Sequence, residues 1–184
     1  MTGRKKILAI SGSTRQNSTN LNLIKAIKHL SADTFDITIF EGLSGIPHFN
    51  PDLDTNIPPK NIIDFRTQIK EADGILICTP EYAMGVPGTL KNAIDWAVSS
   101  AEFSHKPVAL ITASSQGQKA HLSLLETLKI IECDIPDETQ LLISFVKTKV
   151  TDAAKISDAE TLEQVKKLID SFIKTINKKN ELSQ

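Results

Sequence analysis

Five short runs, "KILAIS" (6–11), "FDITIF" (35–40), "GILICT" (74–79), "VALITA" (108–113) and "TQLLIS" (139–144), are apolar almost without interruption. A strand with one solvated face alternates apolar and polar residues, whereas a strand covered on both faces reads as a continuous apolar run. The segments between the runs supply the cover. Ile24, Ile27 and Leu30 recur at helical spacing after the first run, and "NIIDFRTQIKEAD" brings Ile62, Phe65 and Ile69 before the third. Pro87, suited to a first helical turn, opens a segment carrying Leu90, Ile94 and Trp96. A fourth helix is expected through "HLSLLETLKII", and a fifth presents one stripe of Leu162, Val165, Leu168, Ile169, Phe172, Ile173 and Ile176. This alternation predicts a three-layer α/β domain, a doubly wound five-stranded parallel sheet of order 2-1-3-4-5 with right-handed crossovers.

The 184 residues suit a single domain spanning 1–184, in which the polar stretch 178–184 is expected to fray. A net charge of −1 gives no general electrostatic ground for binding nucleic acid or an acidic membrane, so neither is expected as a partner. Cys78 and Cys133 form no CxxC pair, and the four histidines have no ligand spacing, which argues against a disulfide framework or a metal site. The apolar stretch at the N-terminus is too short for a secretory signal, and no later one has membrane-spanning length. A soluble, cytoplasmic protein is the expectation.

In a doubly wound sheet, ligands bind beyond the carboxyl ends of the strands, which directs attention to the loops after strands one, three and four. The first, "GSTRQNST" (12–19), leads from strand one into helix one. Backbone N–H groups at a helix N-terminus lack intrahelical partners and the helix dipole favours negative charge there, so a phosphate is a natural occupant. Ser13, Ser18 and Thr19 offer hydroxyl donors, Asn20 an amide, and Arg15 a planar fork for phosphate oxygens. The plainer alternative has Ser18 capping the helix and Arg15 solvated. The pattern is neither GxGxxG nor GxxxxGK[ST], so a monophosphate ester fits better than a dinucleotide or a hydrolysed nucleotide.

The second loop, "PEYAMGVPGTLKNAIDW" (80–96), is stiffened by two prolines and two glycines close together, leaving main-chain groups free for a planar ligand, with Tyr82 as an aromatic wall. With "GSTRQNSTN", this stretch resembles the NADPH-dependent FMN reductase family, which includes quinone, azo-dye and chromate reductases. The resemblance implies a flavodoxin-like fold, noncovalent FMN, and a homodimer or homotetramer with the flavin near the subunit interface. It places Ser13, Arg15, Ser18 and Asn20 at the FMN phosphate, where the Thr19 hydroxyl adds a cofactor-binding donor, and Pro80, Glu81, Tyr82 and Ala83 along the isoalloxazine ring. The family commonly has Asn where this chain has Ala83, so weaker or retuned flavin binding is expected. At the third loop, "SSQGQKA" (114–120), the family's glycine-rich turn survives only as Gly117, while Ser114, Ser115 and Gln116 still offer hydrogen bonds to the pyrimidine edge; a plain solvent loop is the alternative.

The implied chemistry is hydride transfer from NADPH or NADH to flavin N5, then reduction of a quinone, flavin, azo compound or metal oxyanion in ping-pong turnover. No acid or base residue is required. Glu81 has no partnering base, which favours a loop-fixing role, and Cys78 reads as a small hydrophobe. Lys119 and Arg15 are candidates for the 2′-phosphate of NADP. The sequence leaves open whether Ile94 and Trp96 face the core or another subunit. The rival function is a non-enzymatic flavin-binding electron carrier or redox-responsive interaction module.

Overall fold

The computed structural model describes residues 3–151 and 153–182. The apolar runs form β1 (Lys5–Ser11), β2 (Phe35–Ile39), β3 (Gly74–Thr79), β4 (Val108–Ala113) and β5 (Gln140–Ile143). Between and after them lie α1 (Thr19–Leu30), α2 (Lys60–Glu71), α3 (Gly88–Asp95), α4 (Gln118–Ile130) and α5 (Ala159–Leu182). All strand pairs are parallel, in the expected order β2-β1-β3-β4-β5.

Successive residues of β1, β3 and β4 enter different cores, which is why those runs carry no polar alternation. The edge strand β2 alternates, with Asp36 and Thr38 exposed between Phe35, Ile37 and Ile39. Ile7 and Ala9 of β1 join Leu76 and Cys78 of β3 beneath α1 and α5. Leu8 and Ile10 join Ile75 and Ile77 beneath α2, α3 and α4. Val165, Leu168, Phe172 and Ile176 of α5 are all buried, and each such side chain contributes roughly 1.5–3 kcal/mol, ample to hold a helix whose outer face is charged. That helix extends past Asn177 to Leu182. Lysine is a good helix former, and Lys179 in the last turn complements the dipole, so polarity alone does not end the helix. Residues 183 and 184 of the expected tail lie outside the described residues.

Trp96 and Ile94 belong to the chain's own core. Trp96 is fully buried; its indole N–H donates to the Pro47 carbonyl at 2.8 Å, and Phe49 stands edge-on to it at 5.2 Å. The long connection 40–59 between β2 and α2 is thereby fastened to α3, because Asn92 also donates to the Pro47 carbonyl at 2.9 Å and accepts from the Phe49 N–H at 2.7 Å.

Lys106 closes the far end of α2. Its Nζ donates to the Ala72 carbonyl at 2.7 Å and the Lys70 carbonyl at 3.2 Å, serving acceptors that a helix C-terminus leaves open. Burial pushes its pKa down from 10.5 to about 8, helped by the charge of Lys179 and opposed by Asp73. Between those values the unfolded chain keeps a proton that the native chain has lost, so native stability gains from this group as pH rises. We therefore expect the stability of the native chain relative to Lys106→Met, measured by urea unfolding, to increase from about pH 8 to about pH 10.5. A flat difference over that window would contradict it.

The register brings the strand ends level: Ser11 pairs with Cys78, Thr79 with Thr112, and Ala113 with Ile143. Four carboxyl ends thus open side by side.

Candidate functional site

A cavity of about 400 Å³ lies beyond those ends, within the ~300–1,000 Å³ range of cofactor sites. Ten of the residues expected from the sequence line it: Ser13, Arg15, Ser18, Thr19, Asn20, Pro80, Glu81, Tyr82, Ser114 and Ser115.

The first loop folds on its own hydroxyls. Ser11 Oγ donates to the Ser13 carbonyl at 3.1 Å, and Ser13 Oγ accepts the Arg15 N–H at 3.4 Å. Gly12 lets this loop pass hard against Thr79, since a Cβ there would stand 2.3 Å from Thr79 Oγ1. Ser18 holds the N-cap position of α1 in extended backbone (φ −90°, ψ 129°), yet its side chain makes no capping bond. The first amide of the helix ladder to find a carbonyl is that of Asn22, on the Ser18 oxygen. Those of Thr19, Asn20 and Leu21 have no acceptor among the described residues. The Arg15 side chain is exposed and likewise has no hydrogen-bond or ionic partner among the described residues. The capping alternative for Ser18 therefore fails, and the mouth of α1 carries unspent donors.

Asn20 is different. Its Nδ2 donates to the Ala113 carbonyl at 3.0 Å, and its Oδ1 accepts the Cys78 thiol at 3.2 Å. Expected at the phosphate, it lines the cavity and is also a buried brace joining α1 to the ends of β3 and β4, with its carbonyl and one amide hydrogen already used. Burial pushes the Cys78 thiol far up, so it stays a protonated donor.

The second loop turns back within four residues. Tyr82 N–H donates to the Gly85 carbonyl at 3.0 Å and Gly85 N–H to the Tyr82 carbonyl at 2.9 Å, with Ala83 (φ 48°) and Met84 (φ 61°) both left-handed. That is a type I′ turn, which ordinarily takes Asn-Gly. The Asn common in the family tolerates this backbone better than alanine, so the Ala83 departure bears on the turn itself. Ala83 is exposed and outside the cavity lining, because the turn carries it past the wall that Tyr82 forms. Tyr82 Oη and Ser13 Oγ share a hydrogen bond of 3.2 Å that joins the second loop to the first.

Gly117 also stands outside the lining. It is buried at the N-cap of α4 with φ +99°, and a Cβ there would come within 2.8 Å of Leu142 Cδ1. Ser114 and Ser115 do line the cavity, with Ser115 exposed. Lys119 does not.

Sequence reasoning missed Phe145, Val146, Lys147 and Thr148, which complete the wall from the loop after β5. Val146 N–H donates to the Ser114 carbonyl and Phe145 N–H to the Ser115 carbonyl, both at 3.1 Å, fixing this loop against the third. The signal available was positional: the fifth run ends at the same edge as the others.

A doubly wound sheet of order 2-1-3-4-5 with a cavity beyond its strand ends defines the flavodoxin-like fold class. The chain belongs to the NADPH-dependent FMN reductase family, whose model matches residues 5–148. It is 32% identical over 172 residues to the NAD(P)H-dependent FMN reductase of Pseudomonas aeruginosa, covering 91% of this chain and 92% of that one. It is 38% identical over 112 residues, 59% of this chain and 60% of the relative, to a 2-hydroxy-1,4-benzoquinone reductase of a Burkholderia species. Among solved structures, FerB, a flavoenzyme NAD(P)H:(acceptor) oxidoreductase from Paracoccus denitrificans, superposes with a TM-score of 0.82 at 24% identity, covering 95% of this chain and 98% of that one, a likeness of fold. The protein is thus an oxidoreductase working with FMN and a reduced nicotinamide, and the carrier alternative is not favoured. Among the described residues no helix is long and apolar enough to cross a membrane.

Proposed function

We propose that the protein holds FMN in the cavity described above and uses NAD(P)H to reduce quinones, the acceptor class of several relatives. The observation that carries this reading is the set of unspent donors at the α1 mouth: three free amides, the Ser18 hydroxyl and the Arg15 guanidinium, suited to a dianionic phosphate. The donor set and the cavity of about 400 Å³ both fit that group. The redox chemistry is what bound FMN supplies, hydride from the nicotinamide in and reducing equivalents to the acceptor out.

The chain's own residues bind and orient. Pro80 and Tyr82 offer a wall for a flat ring, Ser114 and Ser115 offer polar contacts at its edge, and Lys147 adds a cation to the rim. Glu81 serves as a brace, its carboxylate accepting from two backbone amides. The resemblance to the family carries a homodimer or homotetramer with it, and the exposed Tyr82, Met84 and Phe145 supply apolar surface for such a contact.

Arg15→Ala tests the reading. Hydrogen bonds to charged groups are worth about 1.5–3 kcal/mol, so the FMN dissociation constant of the apoprotein is expected to rise about ten- to a hundredfold. With FMN saturating, anaerobic NADPH should still bleach the flavin band, and added quinone should restore it. Unchanged FMN affinity would move the phosphate away from this loop.

A further inference from the structure

Glu81 reaches from the second loop to the third and on to α4. Its N–H donates to Ser114 Oγ at 3.2 Å, while Oε2 accepts the Ala120 N–H at 2.9 Å and Oε1 the Gly117 N–H at 3.4 Å. α4 needs this carboxylate, because its own N-cap is Gly117, which has no side chain to supply an acceptor. The cap is therefore borrowed from a residue that also lines the cavity.

Two consequences follow from a carboxylate in this position. It clamps residues 114–117 to residue 81, so that two walls of the cavity are held in register. It also sets a full negative charge against the positive end of the α4 dipole, equivalent to about half an elementary charge, beside Ser114 and Ser115. Without that charge the helix terminus would present net positive potential to this wall.

We propose that Glu81 is a positioning residue that sets both the affinity and the redox potential of bound FMN, through the clamp and the cancelled dipole respectively. The inference rests on the reading that the flavin ring lies along residues 80–82 and 114–115. Reduced flavin carries more negative charge than oxidised flavin at neutral pH, so the carboxylate holds the potential down, and its loss raises it.

Two substitutions separate the clamp from the charge. Glu81→Gln keeps the side-chain length and one acceptor oxygen, enough for the 2.9 Å bond from Ala120, but removes the charge and the long 3.4 Å bond from Gly117. It is expected to favour the reduced over the oxidised flavin by about tenfold, a two-electron midpoint potential higher by about 30 mV. Glu81→Asp keeps the charge but is one methylene short of the Ala120 amide. It is expected to weaken FMN binding severalfold, to speed hydrogen exchange at the Gly117 and Ala120 amides of the apoprotein, and to leave the potential in place. The exchange measurement also reports whether each variant is folded. An unmoved potential in the Gln variant, with both variants merely melting earlier, would reduce Glu81 to a structural cap and overturn the proposal. If Arg15→Ala weakens FMN while neither Glu81 variant changes affinity or potential, this inference alone fails; if Arg15→Ala is silent too, the placement of FMN fails with it.

Discussion

Asp54→Ala is expected to destabilise the protein by about 1.5–3 kcal/mol in urea unfolding at neutral pH, the cost of breaking a part-buried, hydrogen-bonded ion pair from one side. Arg66 Nη2 lies 2.7 Å from Asp54 Oδ1, and the two side chains are only 12% and 9% exposed. Ser99 Oγ donates to the other carboxylate oxygen at 2.5 Å, and Arg66 Nε donates to the Trp96 carbonyl at 2.9 Å. Removing the carboxylate strands a guanidinium with no counter-charge in this cluster and removes one of the ties between the connection 40–59 and α2, leaving the Asn61 bond to the Gly45 carbonyl. The Ser99 hydroxyl, with Arg66 beside it, holds the Asp54 carboxyl below its ordinary 3.8. A carboxyl whose folded pKa is depressed contributes in full above its unfolded value and is lost as pH falls through the folded one. The difference between native and variant chains should therefore shrink on acidification below about pH 4. A cost of about 1 kcal/mol or less at neutral pH would mark the pair as solvent-screened, as exposed pairs are.

The inner strands β1, β3 and β4 were readable from the chain because burial on both faces leaves a direct trace, a run without polar alternation, while β2, at the sheet edge, alternates Phe35 and Ile37 with the exposed Asp36 and Thr38. Helical spacing was a weaker guide at the ends of elements. Leu30 fits the stripe of α1 yet is 45% exposed in its last turn, and α5 continues through residues that looked too polar to stay helical. The connection 40–59 left no trace, because its fastenings join a main-chain carbonyl at Pro47 and the carboxylate of Asp54 to Asn92, Trp96 and Arg66, far along the chain. In the site, the α1 mouth was legible through its crowd of small donors, but identity of residue type did not show that Asn20 is spent on Ala113 and Cys78. The left-handed turn at Ala83 and Met84 was invisible for a related reason: neither residue belongs to the usual signature of that turn, so only the fold imposes it.

Gly12→Ala is expected to cost about 3 kcal/mol, the upper end of overpacking in a filled interior, and to weaken FMN binding as well. The new Cβ would sit 2.3 Å from Thr79 Oγ1, 2.8 Å from Thr79 Cβ and 3.1 Å from Leu90 Cδ2. Rotating Thr79 gives no escape, because its side chain is branched at Cβ, the residue is fully buried, and Cβ itself is too near. The backbones must part instead, straining the Gly12 N–H bond to the Cys78 carbonyl at 2.8 Å and then the 3.2 Å contact between Ser13 and Tyr82. Those two bonds hold the first loop to the end of β3 and to the second loop, so stability should fall and, on the proposed placement of FMN, its affinity should fall in step. Thr79→Ala removes the nearest atom, and the double variant should recover part of the loss, a coupling expected only of residues in contact. Simply additive costs in that cycle would mean that Gly12 and Thr79 do not meet, and with that the close approach of the two loops would be lost.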